Sequence, residues 1–62
     1  MKNKVFKNGA WVHYEKSATS YDALYIVKIY DPMGHMRDKV RCDSYRDAMD
    51  FYRSFCAIAK NY

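Results

Sequence analysis

The chain has little of what enzymes commonly use for catalysis and cofactor binding. In 62 residues it contains two glycines, one proline, two cysteines and two histidines. Because its glycines are Gly9 and Gly34, the sequence cannot form a glycine-rich phosphate-binding loop. Neither His13 nor His35 has a second ligand at helical or turn spacing, so we expect no metal site and no cofactor.

Catalytic groups are equally few. Glu15 and His13 are expected on the same strand face, but one acid and one base without a pocket do not predict catalysis. A thiol nucleophile at Cys42 or Cys56 would need a histidine beside it in space, which no motif indicates. We therefore expect a protein without enzymatic activity and without catalytic residues.

Long apolar segments are also missing. Residues 1–7 are charged and lack the apolar run of a signal peptide, and no uncharged stretch is long enough to span a bilayer. These absences predict a cytoplasmic protein, in the host cytoplasm if the source is viral, with no membrane partner. In a reducing compartment, the two cysteines are expected to stay free thiols that behave as small hydrophobes.

Aromatic residues and positive charge are what the chain has in excess. Seven tyrosines, three phenylalanines and one tryptophan can fill the core of a single small domain that spans residues 1–62. A domain of this length has a stability of about 3–9 kcal/mol. Eleven Lys and Arg against seven Asp and Glu give a net charge of +4, which permits binding to nucleic acid or to an acidic protein.

The carboxyl-terminal segment has a complete helix signature. Ser44 can act as the N-cap, and Asp47 places negative charge at the positive end of the helix dipole. At about 100° per residue, seven small, aromatic or aliphatic side chains fall within one stripe. The stripe consists of Ala48, Phe51, Tyr52, Phe55, Ile58, Ala59 and Tyr62. We expect a helix over about residues 45–61 with this stripe buried.

The amino-terminal part of the chain predicts a β-hairpin. Asn8-Gly9 lies between two β-prone runs, residues 4–7 and 10–15, and Asn-Gly in this position is a strong hairpin signal. The first run is short and rich in lysine, so the sheet is expected to have three or four strands. The small polar residues of segment 17–22 then indicate a surface loop.

The segment from Ala23 to Asp31 predicts a central strand. Its residues are nearly all β-branched, aromatic or aliphatic. With the hairpin before it and a strand after it, the sequence predicts an antiparallel sheet over about residues 4–42. The single carboxyl-terminal helix is expected to pack on one face of this sheet, which gives an α+β fold.

The sequence Asp31-Pro32-Met33-Gly34 predicts a three-residue hairpin loop closed by a bulge, with Gly34 in the left-handed region. With Asp31 opposite His35, one sheet face pairs Tyr30 with Met36, Lys28 with Asp38, Ile26 with Val40 and Leu24 with Cys42. The other face pairs Ile29 with Arg37, Val27 with Lys39 and Tyr25 with Arg41. A slip by one residue would set Lys28 beside Lys39, which is unfavourable on charge, so the first register is preferred.

The two faces of this predicted hairpin differ in character. Burying the basic residues of the last strand under a helix without acidic partners would be costly. We therefore expect the helix to cover the face of Leu24, Ile26 and Val40. The face left open then combines a basic row with an aromatic and aliphatic row. These candidate binding residues are Arg37, Lys39, Arg41, Tyr25, Val27 and Ile29.

This predicted surface supports two functional hypotheses beside that of a plain solvated face. Alternating basic side chains can reach phosphates or base edges, and a neighbouring tyrosine can stack on an unpaired base, so nucleic acid is the favoured partner. The alternative is a small phage-type protein that binds and inhibits a host protein, or forms a homodimer, through the same six residues. Trp11 is expected in the core, as the largest side chain of a small domain, and the alternative is a stacking platform or an interface anchor.

The order of residues from Gly34 to Ala48 resembles the last strand and helix start of the arm-type DNA-binding domains of phage and transposon integrases. Those domains are small three-stranded sheets backed by one carboxyl-terminal helix, and run from a turn glycine through a basic strand to an aromatic, a Thr and a Glu-Ala pair. Here these places are occupied by Cys42, Ser44, Asp47 and Ala48. Because these 62 residues hold no recombinase catalytic domain, the role implied by the resemblance is DNA contact by Arg37, Lys39 and Arg41.

Overall fold

The computed structural model describes residues 2–18 and 23–62 and contains four strands followed by one helix. The strands are β1 (Lys2–Val5), β2 (Trp11–Ala18), β3 (Ala23–Tyr30) and β4 (Met36–Cys42), and the helix is α1 (Tyr45–Ala59). The strands form one antiparallel sheet in the order β1-β2-β3-β4, and α1 packs against β2, β3 and β4. The predicted α+β fold is confirmed. Of the predicted loop at 17–22, residues 17 and 18 belong to β2, and 19–22 lie outside the described residues.

Both predicted hairpin turns are present. Gly9 and Gly34 have φ values of 93° and 91°, in the left-handed region that a residue without a Cβ adopts at little cost. In the first turn, the Phe6 N–H donates to the Ala10 carbonyl at 2.8 Å. In the second, the Asp31 N–H donates to the His35 carbonyl at 2.9 Å, which sets Asp31 opposite His35 as expected.

The side chain of Asp31 organises the second turn. Its Oδ1 accepts hydrogen bonds from the backbone N–H groups of His35 at 2.9 Å and of Met33 at 3.0 Å. Its Oδ2 lies 3.7 Å from Arg37 Nη1. The hydrogen bond from the His35 backbone, assisted by that from Met33 and by the nearby cations, lowers the pKa of the Asp31 carboxyl.

The register between β3 and β4 differs from the predicted one. Tyr30 lies opposite Met36 as expected, but an irregularity at Ile29/Tyr30 leaves Arg37 as an extra residue on β4. Beyond it, every pair is shifted by one position. Ile29 lies opposite Asp38, Lys28 opposite Lys39, Val27 opposite Val40, Ile26 opposite Arg41 and Tyr25 opposite Cys42. The predicted Lys28–Asp38 pair is therefore wrong, and the slip that charge disfavours is the one that occurs.

The shift exchanges the two faces of the central strand. Val27 and Ile29 are 0% and 1% exposed beneath α1, and Tyr25 is half-buried on the same side. The expectation that these three residues lie on the uncovered face is wrong. The cause lies in β2, because its alternate residues Val12 and Tyr14 are buried opposite Ile29 and Val27. Because α1 covers β2, β3 and β4 together, the register that places Val27 and Ile29 beside Val12 and Tyr14 buries these apolar side chains on one face.

The core therefore lies between α1 and the centre of the sheet. Its buried residues are Ala10, Val12, Tyr14, Val27, Ile29, Cys42, Ala48, Tyr52, Phe55 and Ala59. Cys42 lies in the core as predicted. Trp11 is not among these residues, so its predicted place in the core is wrong.

Helix α1 begins where the sequence predicts. The backbone of Ser44 is extended, and its hydroxyl oxygen accepts a hydrogen bond from the Asp47 N–H at 3.2 Å, as an N-cap does. The buried stripe is narrower than predicted and consists of Ala48, Tyr52, Phe55 and Ala59. Phe51 and Ile58 are exposed because the sheet contacts only the centre of the apolar stripe and leaves its edges in solvent. Tyr62 is exposed beyond the end of α1.

The side chain of Asn8 links the first turn to the end of the helix, a contact that the sequence did not predict. Asn8 Nδ2 donates to the carbonyls of Ala59 at 2.9 Å and Tyr62 at 3.3 Å, and its Oδ1 accepts from the Ala10 N–H at 2.8 Å. Ala59 is the last residue of α1, and its carbonyl also accepts from the Tyr62 N–H at 3.3 Å, so Asn8 adds a second donor at the end of the helix. Asn8 thereby fixes the carboxyl-terminal end of α1 on the sheet.

Candidate functional site

Helix α1 leaves the opposite face of the sheet uncovered, and we refer to this face as the open face. Cross-strand pairing arranges its side chains in four rows, of which the last is Ser17 and Leu24. The first row is Val5, Trp11, Tyr30 and Met36, the second is Asn3, His13, Lys28 and Lys39, and the third is Glu15, Ile26 and Arg41. One apolar row thus borders two rows that are mostly polar and charged.

The apolar row centres on a pair of stacked aromatic rings. The rings of Trp11 and Tyr30 lie with their centroids 4.6 Å apart and their planes 14° from parallel. The indole reaches the next turn, where a Cβ built on Gly34 would lie 3.8 Å from Trp11 Cη2. Val5 and Met36, at the two ends of the row, are 71% and 51% exposed. The row is therefore accessible from the solvent across all four strands.

The second and third rows place cations together. Lys28 and Lys39 are direct cross-strand neighbours, an arrangement in which like charges destabilise a sheet. Lys28 Nζ lies 3.6 Å from Glu15 Oε1. Within the described part of the chain, the side chains of Lys39 and Arg41 form no ion pair. These two cations can therefore engage an external anion without giving up a partner among the described residues.

A shallow recess of about 530 Å³ lies on the β1 side of the open face. Its lining includes the aromatic pair and four polar or charged side chains, Asn3, His13, Glu15 and Lys28. His13 Nδ1 is hydrogen-bonded to Asn3 Oδ1, and its Nε2 lies 3.8 Å from Glu15 Oε2. The predicted neighbourhood of His13 and Glu15 is thus confirmed, and the two side chains now lie in a recess.

The six predicted binding residues separate into three groups. Lys39 and Arg41 lie exposed on the open face. Arg37 is exposed at the bulge, where it is paired with Asp31. Tyr25, Val27 and Ile29 lie on the helix side of the sheet.

Tyr25 belongs to an aromatic cluster at the start of α1. Its ring centroid lies 6.4 Å from that of Tyr14 and 6.1 Å from that of Tyr45. Burial, with the neighbouring phenols, raises the pKa of Tyr14. This cluster covers one end of the core and leaves Tyr25 without a stacking role on the open face.

Sequence reasoning missed Tyr30 and Lys28 as members of the site, and favoured the core over a stacking position for Trp11. The signal was present in β2, where Trp11, His13 and Glu15 alternate with Val12 and Tyr14. Pairing that alternation with β3 places Tyr30 and Lys28 on the polar side.

A second recess, of about 450 Å³, lies between β1 and the last turns of α1, on the opposite side of the sheet. Its cations are Lys4, Arg53 and Lys60. Two of these have internal partners, since Lys4 Nζ lies 5.6 Å above the Phe6 ring and Arg53 is paired with Asp50. The open face therefore offers the better site for an external anion.

Residues 2–18 and 23–62 contain no group of three His, Cys, Asp or Glu side chains that could hold a metal ion. None of their helices has the length and apolar character needed to cross a membrane. Within this part of the chain Cys42 and Cys56 form no disulfide, and burial raises the pKa of Cys42.

Comparison of the chain with protein-family models, with curated proteins and with solved structures gives no significant match. The function is therefore inferred from the chemistry of the open face.

Proposed function

We propose that this protein is a non-enzymatic binding module that contacts nucleic acid through its open face. The observation that supports this most is the placement of Lys28 directly opposite Lys39, with Arg41 in the next row. Such a pair costs stability in the free protein. A phosphate bound between or beside these cations would offset that cost. Residue arrangements that lower the stability of the free protein are common at functional sites.

The aromatic row supports the same proposal. The π-faces of bases stack on tryptophan and tyrosine, and basic side chains near such rings track the phosphates of the same strand. The net charge of +4 favours association with a polyanion. The resemblance to integrase arm-type domains also favours DNA, with contacts by Lys39 and Arg41. A cytoplasmic location, where nucleic acid is accessible, belongs to the same proposal.

The test compares binding of labelled single-stranded and duplex oligonucleotides at low salt by fluorescence anisotropy. The informative variant is Lys39→Ala/Arg41→Ala, and the matched control is Lys7→Ala/Arg46→Ala, which removes the same charge from exposed positions off the open face. We expect the first variant to lose most of its affinity and the control to lose little. Urea denaturation verifies that both variants are folded. A wild type that binds no oligonucleotide would overturn the proposal.

A protein partner is the second candidate, and a specific observation favours it. Val5, Trp11, Tyr30 and Met36 form an apolar row with exposed ends, and aromatic residues and Met are enriched at interface hot spots. This partner would be a host protein or a second copy of the chain. A pull-down treated with nuclease, together with light scattering, tests it. A complex that survives nuclease and is lost in Val5→Ser/Met36→Ser would favour this candidate, and a monomer that captures nothing would exclude it.

A further inference from the structure

The recess on the open face has the walls that one planar aromatic ligand requires. Tyr30 covers one face of the Trp11 indole. The recess extends toward β1, where the highly exposed Val5 leaves room beside the indole. At about 530 Å³ it is large enough for one base and part of its sugar. A base entering from the β1 side can stack on the indole, with one edge directed along the strands toward the second row.

The polar groups at that edge lie at ion-pair distance from one another but are not hydrogen-bonded to one another. Glu15 Oε1 lies 3.6 Å from Lys28 Nζ, and Oε2 lies 3.8 Å from His13 Nε2. Neither distance is that of a hydrogen bond, so both carboxylate oxygens keep their capacity to accept one. The ammonium group of Lys28 likewise keeps its donors. The bond between Asn3 and His13 fixes the imidazole at the floor of the recess.

This combination matches the Watson–Crick edge of guanine. That edge has two adjacent N–H donors, which a carboxylate can accept in parallel, and one carbonyl oxygen, which an ammonium group can bind. In a duplex the same edge is occupied by cytosine, so only an unpaired guanine can present it. Guanine is also a purine, and its two rings provide more area for stacking on tryptophan than a pyrimidine does.

We propose that the recess binds one unpaired guanine of a single-stranded nucleic acid, stacked on Trp11 and bound at its edge by Glu15 and Lys28. Lys39 and Arg41 then contact phosphates of the same strand. This inference rests on the proposed function and narrows it from nucleic acid in general to single strands that contain guanine.

Intrinsic fluorescence tests the proposal directly, because Trp11 is the single tryptophan of the chain. The probes are oligothymidylates of about ten nucleotides, either unbroken or with one central dG, dA or dC, and the dG strand annealed to its complement. We expect the dG strand to bind roughly tenfold more tightly than the unbroken strand and to quench Trp11 more strongly. The duplex is expected to bind without comparable quenching.

Glu15→Gln isolates the edge contact, since it keeps the size of the side chain and removes the bidentate acceptor. We expect it to abolish most of the preference for dG while the affinity for unbroken oligothymidylate is kept. Asp43→Asn, an equal charge change at an exposed residue outside the open face, is the control and should keep the preference. Urea denaturation of both variants verifies that they are folded.

Two results would overturn the inference while leaving the proposed function standing. One is equal affinity for all single strands. The other is binding to the duplex as tight as to the dG strand, without quenching of Trp11. A failure to bind any of these nucleic acids would overturn both the inference and the proposed function.

Discussion

Replacing Ile29 and Ile26 by alanine, one at a time, distinguishes the observed register of the sheet from the register predicted from the sequence. Ile29 is 1% exposed beneath α1, whereas Ile26 lies half-buried on the open face of the same strand. Removing a fully buried Ile side chain costs about 2–5 kcal/mol. The same change at Ile26 should cost about 1 kcal/mol, because part of that side chain is already in water. The lower β-propensity of alanine affects both variants alike.

The difference is large compared with the stability of the whole domain, which is about 3–9 kcal/mol for this length. Urea denaturation followed by circular dichroism measures both losses, and similar m-values would verify that the unfolding transition is unchanged. We expect Ile29→Ala to be less stable than Ile26→Ala by at least about 1 kcal/mol. Equal losses, or a larger loss for Ile26→Ala, would refute the assignment of the two faces.

Four further substitutions test separate contacts. Lys39→Met should raise stability by about 0.2–1 kcal/mol at low salt by removing the like-charge pair with Lys28, and the gain should shrink at high salt; no gain would remove the main support for an anion site. Asp31→Asn tests how the charge of this carboxyl couples stability to pH. Because folding lowers the pKa of Asp31, the ionised carboxyl stabilises the fold above its ordinary pKa of about 3.8. This stabilisation is lost as the pH falls through the lower pKa of the folded state. The variant keeps the Oδ1 acceptor, so its stability should depend less on pH in that acid range than that of the wild type, and identical acid titrations would contradict this. Ser44→Ala should cost about 1 kcal/mol through loss of the N-cap, measured by thermal unfolding, and an unchanged Tm would count against the cap. Asn8→Asp should lower the free energy of unfolding by about 1–2 kcal/mol in urea denaturation, because it loses the donor to Ala59 and places negative charge at the helix carboxyl terminus. A variant more stable than the wild type would exclude a stabilising role for the Asn8 hydrogen bonds.

The turns and the helix start could be predicted because they depend on a few residues next to one another. Asn8-Gly9, Gly34 and Ser44 each act through their own backbone conformation or a side chain within three residues, and all are found as expected. The register of β3 could not be predicted in this way. Its side chains are apolar on both faces, so β3 alone does not determine which face is buried.

The predicted register failed because a weak interaction was given more weight than a strong one. A Lys–Asp pair across two strands contributes roughly 0.2–1 kcal/mol. Burying each of Val27 and Ile29 fully contributes about 1.5–3 kcal/mol. A bulge at Arg37 lets the chain keep the favourable turn and still bury both residues. No glycine marks this bulge, so the local sequence does not indicate it.

The candidate site was partly predictable. The basic residues Lys39 and Arg41 could be identified from their alternation on a strand. Their aromatic neighbours could not be identified in this way. The predicted register placed Tyr25 beside them, and the size of Trp11 favoured a place in the core. The predicted burial of helix residues such as Phe51 was wrong for a related reason. A helical stripe predicts which side of the helix faces the sheet but not how wide the contact is.

The salt dependence of binding to a single-stranded oligonucleotide tests most directly whether the open face is the binding surface. Between about 50 and 200 mM salt, each phosphate contact contributes about 0.7 to the slope of log K against log salt concentration. Lys39→Ala/Arg41→Ala should therefore reduce the slope by about 1.4, whereas Lys7→Ala/Arg46→Ala should leave it nearly unchanged. The same reduction in both variants, or a reduction in the second alone, would contradict binding at the open face.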